Sequence, residues 1–179
     1  MMTIVLLLFA TTSIVHGIGC VNHLDQGVDW WIGIKMPAPH GTKYVAFEPG
    51  RTGWYTGKDL TSTENNHLAN TLNPLYRSRQ GTGFVAYNDE VLPADGGHVD
   101  SVRAHAKGTF GLGAEKGFWL VHSVPKFPNN PSDDAGYLGI LSGQQKYAQS
   151  FMCVSLNASD LDGLASLLHT ESLPEEFLF

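Results

Sequence analysis

VDSVRAHAKGTF, residues 99–110, holds the central problem of this chain. Side chains alternate across a β-strand. Val102, Ala104 and Ala106 then share one face, and Arg103, His105 and Lys107 share the other. A small apolar side suited to a core backs a row of cationic and titratable groups. His105 and Lys107 would stand about 6–7 Å apart along the strand, within reach of one phosphate diester. GFWLVHSV, residues 117–124, reads as the next strand and carries His122. A hairpin turning around Gly113-Ala114 would set His105 directly opposite His122, with Cβ atoms about 4.5–5.5 Å apart.

Working outward, VDWWIGIK (28–35), KYVAF (43–47), GFVAYND (83–89) and FMCVSL (151–156) have the β-branched and aromatic content of strands. Leucines at 60, 68, 72 and 75 fall partly on a helical stripe that Pro74 should stop. ASDLDGLASLLHT, from residue 158, reads as a second helix with Ser159 as its N-cap. KFPNNPSDDAGY (126–137) is loop. The 20 glycines are scattered, as suits short strands joined by turns. Strands and helices mix throughout, so the expected class is α/β or α+β.

The chain opens MMTIVLLLFATTSIVHG, an apolar run followed by small residues, which reads as a secretory leader cut after Gly17. The run is too short to span a bilayer, and no later stretch is long and apolar enough to do so. Residues 18–179 are one domain's worth of chain. The formal charge of −6 disfavours polyanions at neutral pH. Protonating the seven histidines beyond the leader would bring it to about +1, so acid favours an anionic partner. In an exported chain the two cysteines, Cys20 and Cys153, read as one disulfide, the alternative being two free thiols. Asn157-Ala158-Ser159 is an N-glycosylation sequon.

Two imidazoles and an ammonium in one place suit phosphoryl transfer without a metal. One histidine can attack phosphorus, another can protonate the leaving oxygen, and Lys107 with Arg103 can hold the non-bridging oxygens. Lys126, in the loop after His122, would extend this patch. No Asp/Glu/His grouping stands out as a divalent-metal site, and His23, His40, His67 and His98 read as surface residues. The bland reading is a solvated strand face. Trp30, Trp31, Trp54 and Trp119 fit core packing better than base stacking, and Tyr87, Asn88 and Asp89 fit a structural strand end.

The surrounding words carry more. VDWWIGIKMPA (28–38), LNPLYRS (72–78), VAYND (85–89), HAKG (105–108), GFWLVHSVPKFP (117–128) and CVSL (153–156) resemble, in order, blocks of the deoxyribonuclease II family. The resemblance implies a secreted or lysosomal endonuclease that cuts DNA at acidic pH without divalent metal or other cofactor and leaves 3′-phosphate ends. It implies a phospholipase D-like fold of two related lobes, each giving a His-x-Lys element to a shared site. It assigns His105 and Lys107 to the first lobe's element, His122 to a second essential histidine and Cys20–Cys153 to a family disulfide.

Two departures stand out. Ala106 replaces the family's usual threonine, which keeps the alternation. A full member is also about twice as long, and no second His-x-Lys follows Lys107. Three outcomes follow: two copies pairing about a two-fold axis to assemble a site, a secreted DNA-binding or interaction protein that cuts nothing, or an incomplete gene product.

Overall fold

The computed structural model describes residues 17–57, 59–77, 82–88, 106–129, 136–157, 159–160, 163 and 166. Among the described residues seven strands form one sheet: β1 (Trp30–Lys35), β2 (Tyr44–Phe47), β3 (Tyr55–Gly57), β4 (Gly83–Asn88), β5 (Lys107–Leu112), β6 (Lys116–His122) and β7 (Gln149–Asn157). Their order is β3-β2-β1-β7-β6-β5-β4, and every neighbouring pair is antiparallel. One helix, α1 (His67–Arg77), supplies Leu68, Leu72 and Leu75 to the core. The class is mixed α and β, as the sequence implies. Among the described residues no helix is long and apolar enough to cross a membrane.

Alternation sorts the sheet into two faces. Trp31, Ala46, Phe118, Leu120, Phe151 and Cys153 point into the main core beside the α1 leucines. The opposite face carries a smaller cluster of Tyr87 and Phe110, with Trp119, Val85 and Ala106 packed on it. Trp31 is buried and its indole N–H donates to Thr71 Oγ1 of α1 at 3.2 Å. Trp54 is exposed.

Helix α1 starts later than the leucine spacing predicts, because Asn66 caps it. The Asn66 Oδ1 accepts the Ala69 N–H at 2.8 Å, which satisfies one of the helix's open donors. Pro74 lies inside the helix rather than stopping it. Three residues from the end, its missing N–H removes only one late hydrogen bond. The second helix is likewise capped by a different residue than expected: Asn157 Oδ1, not Ser159, accepts the Asp160 N–H, at 3.0 Å. Ser159 is already helical, and its hydroxyl donates to the same Oδ1.

The β5–β6 register also differs from the expected hairpin. Gly108 pairs with Val121, Phe110 with Trp119 and Gly111 with Phe118, a shift of two positions. Phe110 and Trp119 stack with centroids 5.5 Å apart, and cross-strand aromatic pairs of this kind stabilise a register. The Phe118 ring lies where a Cβ on Gly111 would approach it to 2.4 Å, so only glycine fits beneath it. The strand itself runs on to Leu112, beyond the expected end at Phe110; residues 99–105 lie outside the described residues.

Cys20 and Cys153 are joined, with Cα atoms 5.9 Å apart. The bridge fastens the N-terminal segment to β7, beside the Cys20 N–H bond to Ser155 Oγ. Lys35 is also bound tightly. Its side chain is fully buried and Nζ donates to the carbonyls of Met36, Gln145 and Tyr147, which anchors the segment before β7. The bridge closes a separation of 133 residues, and its loss in Cys20→Ser/Cys153→Ser should cost about 2–5 kcal/mol. Thermal melts of oxidised protein and the double variant should show a clear fall in Tm; equal melting would contradict a constraining bridge.

Candidate active site

Three strand ends meet at one corner of the inner face. β4 ends on Asn88, β5 begins on Lys107 and β6 ends on His122. Asn88 pairs with Lys107, and extending the β5–β6 register one residue past Gly108–Val121 sets Lys107 against His122. All three are buried, on the face that also holds Thr109 and Leu120. The expected faces are exchanged: Lys107, read as lying on the side away from the core, is buried on the core side, and Ala106, read as packing on the core, packs on the opposite cluster. The two-residue register shift has put Lys107, rather than His105, across from His122. His105 and Arg103 lie outside the described residues.

His122 is held in a set orientation. Its Nδ1 accepts the Val124 N–H at 3.2 Å, so the neutral ring carries its proton on Nε2. The Phe127 ring stands edge-on to the imidazole, 5.2 Å away at 85°. The Asn88 amide donates to the carbonyls of Val124 and Phe127 at 3.4 and 3.2 Å. One strand end therefore pins the loop that orients the histidine on another, the structural use expected of Asn88. Lys126 sits on that loop with φ 53°. Its side chain is exposed, and its carbonyl accepts from Gln144 Nε2 at 2.7 Å. Lys107 and His122 are thus brought together in the buried corner, with Lys126 on the surface of the loop bordering it.

Comparison with known proteins decides the family. The family described as Deoxyribonuclease II matches residues 19–173. This chain belongs to the deoxyribonuclease II family. It is 35% identical to deoxyribonuclease-2-alpha of Sus scrofa, over 76% of this chain and 39% of the relative. It is 34% identical to deoxyribonuclease-2-beta of Rattus norvegicus, over 90% and 48% respectively. It is 32% identical to cell-death-related nuclease 7 of Caenorhabditis elegans, over 83% and 40%. The chain spans less than half the length of each of these deoxyribonuclease II relatives, in keeping with the length difference expected from the sequence.

The sequence alone does not announce a second polar group in this member of the deoxyribonuclease II family. His67, the first residue of α1, is fully buried rather than superficial, and Glu48, just after β2, is buried beside it. His67 Nε2 bonds Glu48 Oε2 at 3.0 Å and Nδ1 bonds the Tyr44 hydroxyl at 2.9 Å. His23, half-buried in an N-terminal turn, stacks on Tyr55 with ring centroids 3.7 Å apart. His40 is exposed as expected, and His98 lies outside the described residues. No spacing announces this cluster, because its members come from a turn, a strand end and a helix start.

Burial pulls the His67 pKa down to about 4, outweighing the Glu48 hydrogen bond and charge that raise it; His23 and Arg51 lower it further. The unfolded value is 6.5, so protons favour the unfolded chain between the two. This contribution to stability is complete above pH 6.5, falls as pH drops toward 4 and levels off below. Between pH 7 and pH 5 the loss is about 2 kcal/mol. Urea denaturation with chelator present should show it, and His67→Gln should flatten the slope. An unchanged slope in the variant would place the acid sensitivity elsewhere.

Proposed function

We propose that this lobe takes part in acid, metal-independent hydrolysis of DNA phosphodiesters, with His105 as nucleophile. The observation that supports it most is a buried lysine and a buried histidine, Lys107 and His122, set against each other on neighbouring strands of a chain in a deoxyribonuclease family. In the proposed reaction an imidazole nitrogen of His105 bonds to phosphorus and the bond to the 5′ oxygen breaks. The leaving oxygen takes a proton, from His122 or from a group it positions. Water then cleaves the phosphorus–nitrogen bond and leaves a 3′-phosphate. Lys107 holds a non-bridging oxygen and offsets its charge; Arg103 and Lys126 grip neighbouring phosphates.

The rest of the reading concerns assembly and place. The lobe runs over residues 18–179, after a leader at 1–17 that sends it to the lysosome or the exterior, with no membrane partner. Asn157 is exposed and carries the glycan. Where no second lobe is supplied on the same chain, a second copy related by a two-fold axis faces the first and completes the site. The alternative is a DNA-binding or interaction protein without catalysis.

Plasmid digestion at pH 5 in chelator separates these readings. Cutting that persists in chelator and falls by 100-fold or more in His105→Ala and Lys107→Ala supports the enzyme, with His122→Ala losing about 10²–10⁴-fold. DNA retention without cutting supports the binding module, and dependence on added metal defeats the mechanism. Sedimentation at the same pH reads assembly: an active strict monomer would defeat the two-copy site.

A further inference from the structure

His23, Glu48 and His67 gather beside β1–β3, where His67 meets Trp31 and Tyr44 and His23 stacks on Tyr55; β7 stands between those strands and the β5–β6 pair that carries Lys107 and His122. One ligand atom from each lies within 4.8 Å of the other two. Hydrogen bonding accounts for two members, since His67 Nε2 and Glu48 Oε2 bond each other at 3.0 Å. It leaves the third unexplained: His23 Nδ1 is buried and has no hydrogen-bond partner. A buried polar atom without a protein partner costs free energy, and an ordered water or an ion can meet it; here two further donor atoms stand beside it. We propose that His23, Glu48 and His67 bind one divalent transition metal ion of the zinc class, which clamps the N-terminal turn, the end of β2 and the start of α1 together.

The donor set selects the ion. Two imidazole nitrogens and one carboxylate oxygen match the three-ligand zinc pattern that leaves a fourth position open. Calcium and magnesium prefer oxygen cages. A tetrahedral ion with bonds of about 2.0–2.2 Å holds its ligand atoms roughly 3.3 Å apart. The His67–Glu48 pair is already that close, so closure falls to His23, which stands on a half-buried turn and can approach.

Supporting bonds hold the two fixed ligands from behind. Tyr44 grips His67 twice, through its hydroxyl at Nδ1, 2.9 Å, and at the backbone N–H, 3.3 Å. Binding at Nε2 moves the ring proton to Nδ1, where the Tyr44 oxygen accepts it. Glu48 turns its other oxygen, Oε1, to Asn22 Nδ2 at 3.4 Å and Arg51 at 3.9 Å. Oε2 is thereby aimed at the imidazoles and the Arg51 charge kept behind the carboxylate. The fourth position is left to water, and the ion's clamping role follows from where the cluster sits: apart from the corner assigned to DNA, and joining three separate segments of the chain.

The test uses the full chain, stripped with chelator and then freed of it. Titration with Co²⁺ alone should give a visible four-coordinate band saturating at one ion per chain. Zn²⁺ should bleach that band and raise Tm. In His23→Ala and in Glu48→Gln, affinity should drop by tenfold or more and the Zn²⁺-dependent rise in Tm should vanish, while His40→Ala keeps both. His23→Ala alters a half-buried turn, and its Tm in chelator checks that it folds. No cobalt band, no Zn²⁺-dependent Tm rise, or wild-type binding by folded His23→Ala would overturn the site. Neither readout contains DNA, so the outcome is independent of whether the lobe cuts.

Discussion

Strand β7 lies between β1 and β6, and its two edges carry the hydrogen-bonded join between the chain's first three strands and its next three. Without it the described strands form two separate three-stranded pieces, β1–β3 and β4–β6. Each would expose an edge and half of an apolar face. Inserted, β7 sets Cys153 across from Trp31 on one side and from Leu120 on the other, so the core becomes continuous at that row. The disulfide to Cys20 holds the same strand from outside the sheet, and Lys35 at the end of β1 holds the segment that leads into it. The Lys107–His122 corner rests on this indirectly, because β6 takes its place from β7.

The inner face is unusual in its polar content. Lys35, Glu48, His67, Asn88, Lys107, Thr109 and His122 are all buried. For Lys35, His67 and Asn88 the reason is visible in carbonyls, a hydroxyl and a carboxylate placed to meet them. Buried polar groups satisfied in this way fix a single arrangement of the chain around them. Asn88 ties β4 to the loop behind β6, and His67 ties α1 to β2.

Much of this was legible in advance, for physical reasons that differ by element. β1, β2, β4, β6 and β7 stand out because β-branched, aromatic and other apolar residues are dense over four or more positions. β3 has only three residues, Tyr55–Gly57, too few to display a period. The start of α1 was misplaced because leucine spacing extends back to Leu60, while the Asn66 cap depends on one side-chain oxygen. The Lys107–His122 neighbourhood was legible from alternation, but its register was not. A turn centred on Gly113-Ala114 or one residue later fits the local sequence equally, and the choice falls to Phe110–Trp119 stacking and to room over Gly111. His23, Glu48 and His67 were not legible, since three unrelated segments have to fold before they meet.

The bridge between the N-terminal segment and the central strand has a consequence for synthesis. Cys20 leaves the ribosome 133 residues ahead of Cys153, which at ordinary elongation rates is roughly 7–27 s. Throughout that interval its thiol has no proper mate, and β1 has no neighbour on the side that β7 will occupy. Helpers that shield nascent thiols and bare strand edges therefore have a defined window in which to act, and it closes only when Gln149–Asn157 emerges and slots home.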